Sequence, residues 1–356
     1  MAWYSKIFGR PTNNVPSVSG ITVNTIEGPK QSGVINHISA YEQIEIVNRA
    51  VNMIVDDCSL LDVNIGNKTQ GVVKGMKVVT LNNLLNTCPN PYQDVSDFRR
   101  RIFTDYLLQG NIFIYYDGVH LYHLPAEHMT VKGSKEEYIE EFVYREGVLA
   151  DSMKYGPNEV IHIRENNLSS DKFVGVSRLK SQTASMNTLL KMKKFQENFF
   201  KNNAIPGLVI TTENTLSDRI RSSILERWQK IYKPEEGGKR PLLLDGGFKV
   251  DRLSNFNFRE LDFQQGQLFL EEAILRGIGV PPVLLNSGNN ANLRPNMRLY
   301  YLETILPIEN KLLSGFSRFF GYRLRSDVSE VPALQPELQE AANYYSALVN
   351  GGIITP

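Results

Sequence analysis

The sequence predicts an α+β chain in which a mixed helix-and-strand region is joined to long helices and a small inserted module. Three observations carry that prediction. Apolar residues recur at helical spacing in several long stretches, first at Ile44, Val47, Val51, Ile54 and Val55. NIFIYY and VHLYHL alternate around Asp117-Gly118, a strong hairpin turn. Residues 205–253 read as strand, helix and hairpin, placed between two long helical stretches. The chain has 356 residues, of which 42% are hydrophobic and 22% charged, as in ordinary globular proteins. That length allows two or three domains.

Taken in order, residues 1–38 are rich in Pro, Gly, Ser, Thr and Asn and read as a loose arm. Ser39 and Glu42 have capping-box spacing and mark the start of the first helix. Strand-like stretches follow around Leu60–Ile65 and Val72–Val79. Asn90-Pro91 marks a turn, and Asp94 is placed to cap the next helix. Phe98, Ile102, Tyr106 and Leu107 form that helix's apolar face, and Gly110 suits a left-handed stop. Further strands are expected at Glu141–Arg145 and Glu159–Ile163. Residues 178–203 read as one long helix whose stripe includes Met186, Leu189, Leu190, Phe199 and Phe200. In the small module, GLVIT is a strand. A helix over Ser217–Tyr232 aligns Ile220, Ile224, Trp228 and Ile231, and LLL, Asp245-Gly246-Gly247 and FKV make a hairpin. Long helices are expected again over Asp262–Gly277 and, last, over Glu337–Val349.

The bulk chemistry narrows the function classes. Formal net charge is +1, from 39 basic and 38 acidic residues, without the basic excess usual in proteins that grip nucleic acid through phosphates. No apolar run approaches a membrane span. MAWYSKIFGRPTNN lacks the apolar core and cleavage site of a secretory signal. Two cysteines, Cys58 and Cys88, make no disulfide framework and favour a reducing compartment. Cys58 lies beside an apolar helical face and reads as a small core residue. Gly66-Asn67-Lys68-Thr69 lacks the glycines of a phosphate loop and reads as a strand-end turn. His120, His123 and His128 invite a metal, but residues three apart on a strand face opposite sides. No metal site, cofactor or catalytic residue is expected. Arg99, Arg100 and Arg101 fan over roughly 200° of a helix and read as solvated or salt-bridging charges, as do Lys191, Lys193 and Lys194.

Several phrases, in order, resemble the portal proteins of long-tailed bacteriophages. Asn90-Pro91 followed by DFRRRIFTDYLLQGNIFIYY is similar to that family's helix and aromatic-strand signature. EVIHIR at 159–164, FVGVSRL at 173–179 and ENFFKNNAIPGLVI at 197–210 resemble its strand, its lead into the long helix and its Pro-Gly passage. RWQKIY with LLLDGG, GIGVPPVLLN at 277–286 and LETILPIENKL at 302–312 complete the series. The resemblance implies a portal fold: N-terminal arm 1–38, wing 39–177, stem helix 178–204 and clip 205–253. A second stem helix, 254–282, a tunnel loop, 283–297, a kinked wing helix, 298–330, and a short or truncated crown, 331–356, would follow. It also implies a ring of about twelve subunits at one capsid vertex, assembled in the host cytoplasm, with double-stranded DNA passing through. The implied partners are the terminase large subunit, a head-completion adaptor and the major capsid or scaffold protein, with no membrane.

The expected channel segment is amide-rich. Asn286, Ser287, Asn289, Asn290 and Asn292 offer neutral hydrogen bonds worth about 0.5–1.5 kcal/mol each, which suit a sliding contact with a polyanion. Gly288 gives the loop freedom, and Arg294 is its one charge, able to touch phosphate or cap a helix end. Pro281 and Pro282 are expected to stop the preceding helix, and Pro307 to kink the following one at the carbonyl of Glu303. Partner contacts of the clip are expected at Lys233, Glu235, Glu236, Lys239 and Arg240. Two other classes stay open here. A nucleic-acid-processing enzyme needs a carboxylate cluster or phosphate loop, which the sequence does not display. A monomeric binding module is separated by mass.

Overall fold

The computed structural model describes residues 21–22, 36–133, 138–147, 150–167, 173–201, 208–211, 217–220, 222–223, 226, 249–252, 263–285, 293–335, 338–351 and 353. The chain forms two compact units, Gln182–Ile274 and the remainder, Met1–Ser181 with Leu275–Pro356.

In the larger unit, α1 (His37–Gln43) and α2 (Glu45–Ser59) are separated at Ile44. Ile44, Val47, Val51, Ile54, Val55 and Cys58 are all buried, as their spacing predicts. The cap differs from expectation. Asn36 Oδ1 accepts from the Ser39 amide at 2.8 Å, so the helix starts at His37 and Ser39 lies inside it. Leu60 is 77% exposed and the strand begins later, as β2 (Val63–Lys68). The stretch expected as a strand at 72–79 instead runs into α3 (Val78–Asn86), because Leu81, Leu84 and Leu85 bury at helical spacing. Helix α4 (Val95–Gln109) has the predicted form. Asp94 Oδ1 accepts from the Asp97 amide at 2.7 Å, Phe98, Ile102, Tyr106 and Leu107 are buried, and Gly110 closes it at φ 74°.

Strands β3 (Asn111–Tyr116) and β4 (Leu121–Leu124) form the predicted hairpin, and β8 (Val160–Arg164) joins β3 to give the antiparallel order β4-β3-β8. A second antiparallel sheet has the order β1 (Ile21–Thr22), β5 (Met129–Gly133), β6 (Glu141–Tyr144), β7 (Met153–Tyr155). β5 and β7 are not among the strands expected from the sequence. Phe113, Met129, Val131, Phe142, Val160 and Phe173 fill a shared core. β11 (Tyr322–Ser326) pairs with β2 across most of the chain's length and ends the helix-only stretch expected over 298–330. α9 (Leu338–Asn350) closes the described chain within a residue of expectation.

His162 sits in that core. Its ring stacks on Phe113 at 4.3 Å and meets the edge of Phe142 at 5.7 Å. Asn111 Nδ2 donates to the Gln109 and Gly175 carbonyls, which fixes Oδ1 as the acceptor. Oδ1 takes the Gly175 amide at 2.7 Å and His162 Nε2 at 3.2 Å, so Nε2 carries the proton of a neutral ring. Burial, then the Arg164 charge, push the imidazole down to about 3. The unfolded chain protonates this ring below about pH 6.5 while the folded chain does not, so stability falls as pH drops through that window. Full burial would cost about 2 kcal/mol at pH 5, and the partly accessible rim of the ring scales this to about 1 kcal/mol. Urea unfolding at pH 7 and pH 5 should show a loss in the wild type that is smaller in His162→Gln, where half-buried His37, also held below its usual value, still contributes.

The smaller unit contains α5 (Thr183–Lys201), β9 (Leu208–Thr211), β10 (Lys249–Arg252) and most of α6 (Phe263–Ile278). A short 3-10 turn, Arg178–Gln182, precedes α5, so the long helix starts about a turn later than expected. Met186 and Leu189 are buried on α5, and Leu190 is half-buried. Gln267 Nε2 donates to Gln196 Oε1 at 2.9 Å, and the lack of a side chain on Gly266 admits Met192. β10 pairs with β9 in register Lys249↔Thr211 to Arg252↔Leu208. The partner expected for FKV was LLL, which lies outside the described residues, as do Ile224, Trp228 and Ile231 and the side chains of Phe199 and Phe200. Residues 218–220 are helical and Ile220 is 50% exposed. No helix among the described residues is long and apolar enough to cross a membrane.

Candidate functional site

The amide-rich segment 286–292 joins two feet that both belong to the larger unit. Its own residues Asn286, Ser287, Gly288, Asn289, Asn290 and Asn292 lie outside the described residues, as do Lys233, Glu235, Glu236, Lys239 and Arg240. The geometry on the page is that of the feet.

The first foot is the end of α6. The helix stops at Ile278, ahead of the two prolines expected to stop it. Gly279 turns left-handed at φ 97°, its amide reaches the Arg276 carbonyl at 3.2 Å, and the Val280 amide bonds the Leu275 carbonyl at 2.9 Å. This Schellman pattern satisfies the last carbonyls, and Leu275 and Val280 are both buried beside it. Pro281 then takes an extended conformation and Pro282 opens a 3-10 turn, Pro282–Leu284. The prolines thus keep the chain from re-entering the helix after Gly279 has ended it.

The second foot is α7 (Leu293–Tyr300), followed by a π turn, Tyr301–Ile305, and α8 (Leu306–Phe320). Arg294 belongs to the first turn of α7 rather than to the loop, and its Nη2 donates to the Gln335 carbonyl at 2.8 Å. Pro307 occupies the first turn of α8. A regular helix there would drive its ring against the Glu303 carbonyl. The chain widens instead, with the Leu306 amide bonding the Tyr301 carbonyl five residues back. The irregularity expected at Pro307 is therefore a π turn just before it.

Three ties hold these feet to the unit. Thr304 Oγ1 donates to the Gly279 carbonyl at 2.6 Å, joining the π turn to the end of α6. Tyr301 donates to Asp57 Oδ1 on α2 at 3.0 Å. Burial pushes the Asp57 carboxyl up, and the Tyr301 and Tyr300 hydroxyls oppose that rise. Burial and the Asp57 charge push both phenols well above their usual range. The third tie is Arg99 on α4. Its Nη2 reaches Glu309 Oε1 on α8 at 2.6 Å, and its two terminal nitrogens donate to the Leu61 and Cys58 carbonyls at 2.6 and 2.9 Å. Both side chains are buried, so Arg99 is not the solvated charge its Arg-Arg-Arg context suggests. Arg100 and Arg101 do behave that way, pairing at the surface with Asp56 and Asp97. Burial raises the Glu309 carboxyl and Arg99 works against that rise.

The histidines are held by neighbours. His123 Nε2 lies 2.8 Å from Asp105 Oδ2, His120 lies 3.6 Å from Asp117, and His128 lies 3.4 Å from Glu127. Among the described residues no group of three His, Cys, Asp or Glu side chains is placed to hold a metal ion. Gly66 falls inside β2 rather than in a strand-end turn. Cys58 is buried, and its surroundings push the thiol up.

Antiparallel sheets packed with helices, one helix ended by a left-handed glycine and the next opened by a π turn, define an α+β scaffold. Residues 45–356 match the family model of phage portal proteins, and the chain belongs to that family. It is 38% identical over 322 residues to the portal protein of Escherichia phage T5, covering 89% of this chain and 79% of that one. It is 24% identical over 349 residues to a probable portal protein of Streptomyces phage phiC31, covering 89% of this chain and 74% of the relative. Among solved structures it resembles the neck of a native gene transfer agent particle computed with C12 symmetry. The TM-score is 0.63 at 17% identity, covering 95% of this chain and 92% of that one. A portal protein of the HK97 phage family from Corynebacterium diphtheriae gives a TM-score of 0.62 at 12% identity, covering 85% and 98%. The α+β portal fold expected from the sequence is the fold observed.

Proposed function

We propose that this portal protein closes into a ring of about twelve copies at one vertex of a capsid, in the virion, and that double-stranded DNA passes through it. Membership of the portal family over residues 45–356 carries this proposal. The neck of a gene transfer agent computed with C12 symmetry, whose chain has a similar fold, is in keeping with about twelve copies. The ring acts as conduit and platform and leaves chemistry to its partners. Those partners are the terminase large subunit, a head-completion adaptor and the major capsid or scaffold protein, met in the host cytoplasm during assembly. Residues 39–177 would form the wing and 205–253 the clip, with Lys233, Glu235, Glu236, Lys239 and Arg240 in partner contact.

The loop 286–292 is proposed to line the bore. Duplex DNA carries a charge about every 1.7 Å of axis, so a lysine-lined loop would hold it fast. Neutral amides exchange with water at about 0.5–1.5 kcal/mol each and let the polyanion move. Both feet are rigidly tied, by the Gly279 cap and the Thr304 and Tyr301 bonds, so loop motion would not propagate as unfolding. Arg294, in the first turn of the second foot, is proposed to steady that foot through Gln335.

The test has two arms. Purified protein should sediment at about twelve times the 40.4 kDa chain, and negative-stain images should show rings. Deleting 288–292 should leave rings intact and sharply reduce packaged DNA. A stable monomer under all assembly conditions defeats the ring, and normal packaging by the deletion defeats the loop's role.

A further inference from the structure

We infer that Asp57 is a two-seat latch for the second foot, taking a hydrogen bond from either Tyr301 or Tyr300 and so letting α7 settle in two positions against α2. In the structure Tyr301 fills one seat, donating to Asp57 Oδ1 at 3.0 Å. The other seat is open. Asp57 Oδ2 and the Tyr300 hydroxyl are both shielded from water, and neither has a hydrogen-bond partner among the described residues. These two open groups are neighbours. The Tyr300 hydroxyl lies close enough to the carboxylate to work against its upward shift, and the Asp57 charge helps to push the Tyr300 phenol up. A donor and an acceptor thus stand side by side, dry and unjoined.

Such a pair is destabilising as it stands, because each group has given up water without gaining a bond. A phenylalanine would fill the Tyr300 site, only 1% exposed, without that cost. The hydroxyl contributes only in a state where it is bonded, and Asp57 Oδ2 is the open acceptor beside it.

The chain has slack where the change of seat needs it. Tyr300 ends α7 and Tyr301 opens the π turn. Downstream, α8 is fixed to α4 through Glu309 and Arg99. Movement of α7 therefore falls on the π turn, which already departs from regular helical bonding. The two tyrosine rings meet edge to face with centroids 5.8 Å apart, so one short shift moves both hydroxyls relative to Asp57. Thr304 lies on the same turn and bonds the Gly279 carbonyl, so a change of seat is felt at both feet of the 286–292 segment. The foot keeps one bond to Asp57 in either position. Under the channel reading, on which this last consequence alone rests, the loop shifts with its feet still attached.

The test is amide hydrogen exchange at pH 7 on the full chain, read in peptides spanning 293–306. It compares the wild type, Tyr300→Phe, Tyr301→Phe and the double variant. Phenylalanine keeps the ring, so the hydroxyl is the group lost. With two seats, Tyr300 replaces the donor lost in Tyr301→Phe, and each single variant should speed exchange about threefold or less. The double variant leaves a shielded carboxylate without a donor and should speed exchange about tenfold to a hundredfold, more than the product of the singles. Tyr300→Phe/Tyr322→Phe, which takes one hydroxyl from the latch and one from elsewhere, should show no such excess. A Tyr300→Phe/Tyr301→Phe protein that fails to fold while this control folds counts as the same excess. Exchange in the double variant equal to that in Tyr301→Phe overturns the latch, because Tyr300 then contributes nothing. Exchange equal to the product of the singles also overturns it, because the hydroxyls then act independently. Sedimentation of the same samples reports assembly, so a failed ring is read separately from a failed latch.

Discussion

Arg99→Met lowers the unfolding free energy by about 3–5 kcal/mol, the largest loss expected from any single change in this fold. The methionine fills much of the arginine's volume, so packing is not the main loss. What remains is Glu309, fully buried, 2.6 Å from where its counter-charge stood. Among the described residues, a Ser326 hydroxyl at 3.5 Å is the hydrogen-bond partner left beside it. The Leu61 and Cys58 carbonyls also lose their donor. Glu309 then escapes by taking a proton, so the variant should regain stability as the solution is acidified, a trend that Arg99 opposes in the wild type. The double variant Arg99→Met/Glu309→Leu should recover most of the loss. A buried pair contributes little over well-packed apolar groups, and here Arg99 Nε has no hydrogen-bond partner among the described residues. Urea midpoints at fixed m-value for the three proteins measure this directly. A double variant no more stable than the single one would show that the pair sets the α4–α8 packing by shape and not by charge.

Arg99 also shows where sequence reasoning stops. Phe98, Ile102, Tyr106 and Leu107 were legible because a 3.6-residue period writes one face into the text, and Asp94 because a cap needs only a side chain three residues from an amide. Arg99 sits on the same helix between Phe98 and Arg100, and only a partner 210 residues away reveals it as a core residue. The β11 strand was missed for the same reason. Its alternation lasts four residues, and its partner β2 lies far back in the chain. At Val72–Val79 the β-branched residues pointed to a strand, while the leucines that decide the matter, Leu81, Leu84 and Leu85, stand beyond the window. The candidate loop divides similarly. Its composition was plain from the asparagines at 286, 289, 290 and 292, but the ties that hold its feet, Thr304 to Gly279 and Tyr301 to Asp57, leave no local mark. Gly279 did carry a signal, a glycine one step past the last helical residue, which the Pro281-Pro282 pair two residues on overshadowed.

Gly279→Ala should cost at least about 2 kcal/mol, from two sources that can be separated. The backbone at φ 97° is left-handed, where a Cβ alone costs roughly 1–2 kcal/mol. That Cβ would also stand 2.6 Å from Thr304 Oγ1 and 3.2 Å from its Cγ2. The hydroxyl cannot retreat without breaking its bond to the Gly279 carbonyl. Thr304→Ala on its own should cost about 1 kcal/mol for the lost bond. Combined with Gly279→Ala it should cost less than the sum of the two, because removing the hydroxyl makes room for the new methyl. Thr304→Ser should leave wild-type stability nearly intact, since it keeps the donor. Under the channel proposal the same strain acts on the first foot of the 286–292 segment, so Gly279→Ala rings should assemble but package less DNA per particle. Denaturant unfolding of the four proteins gives the coupling, and a terminase-driven packaging assay gives the functional arm. Strict additivity in the first would mean that Thr304 does not meet the alanine methyl. Full packaging in the second would mean that the end of α6 can shift without disturbing the loop it supports.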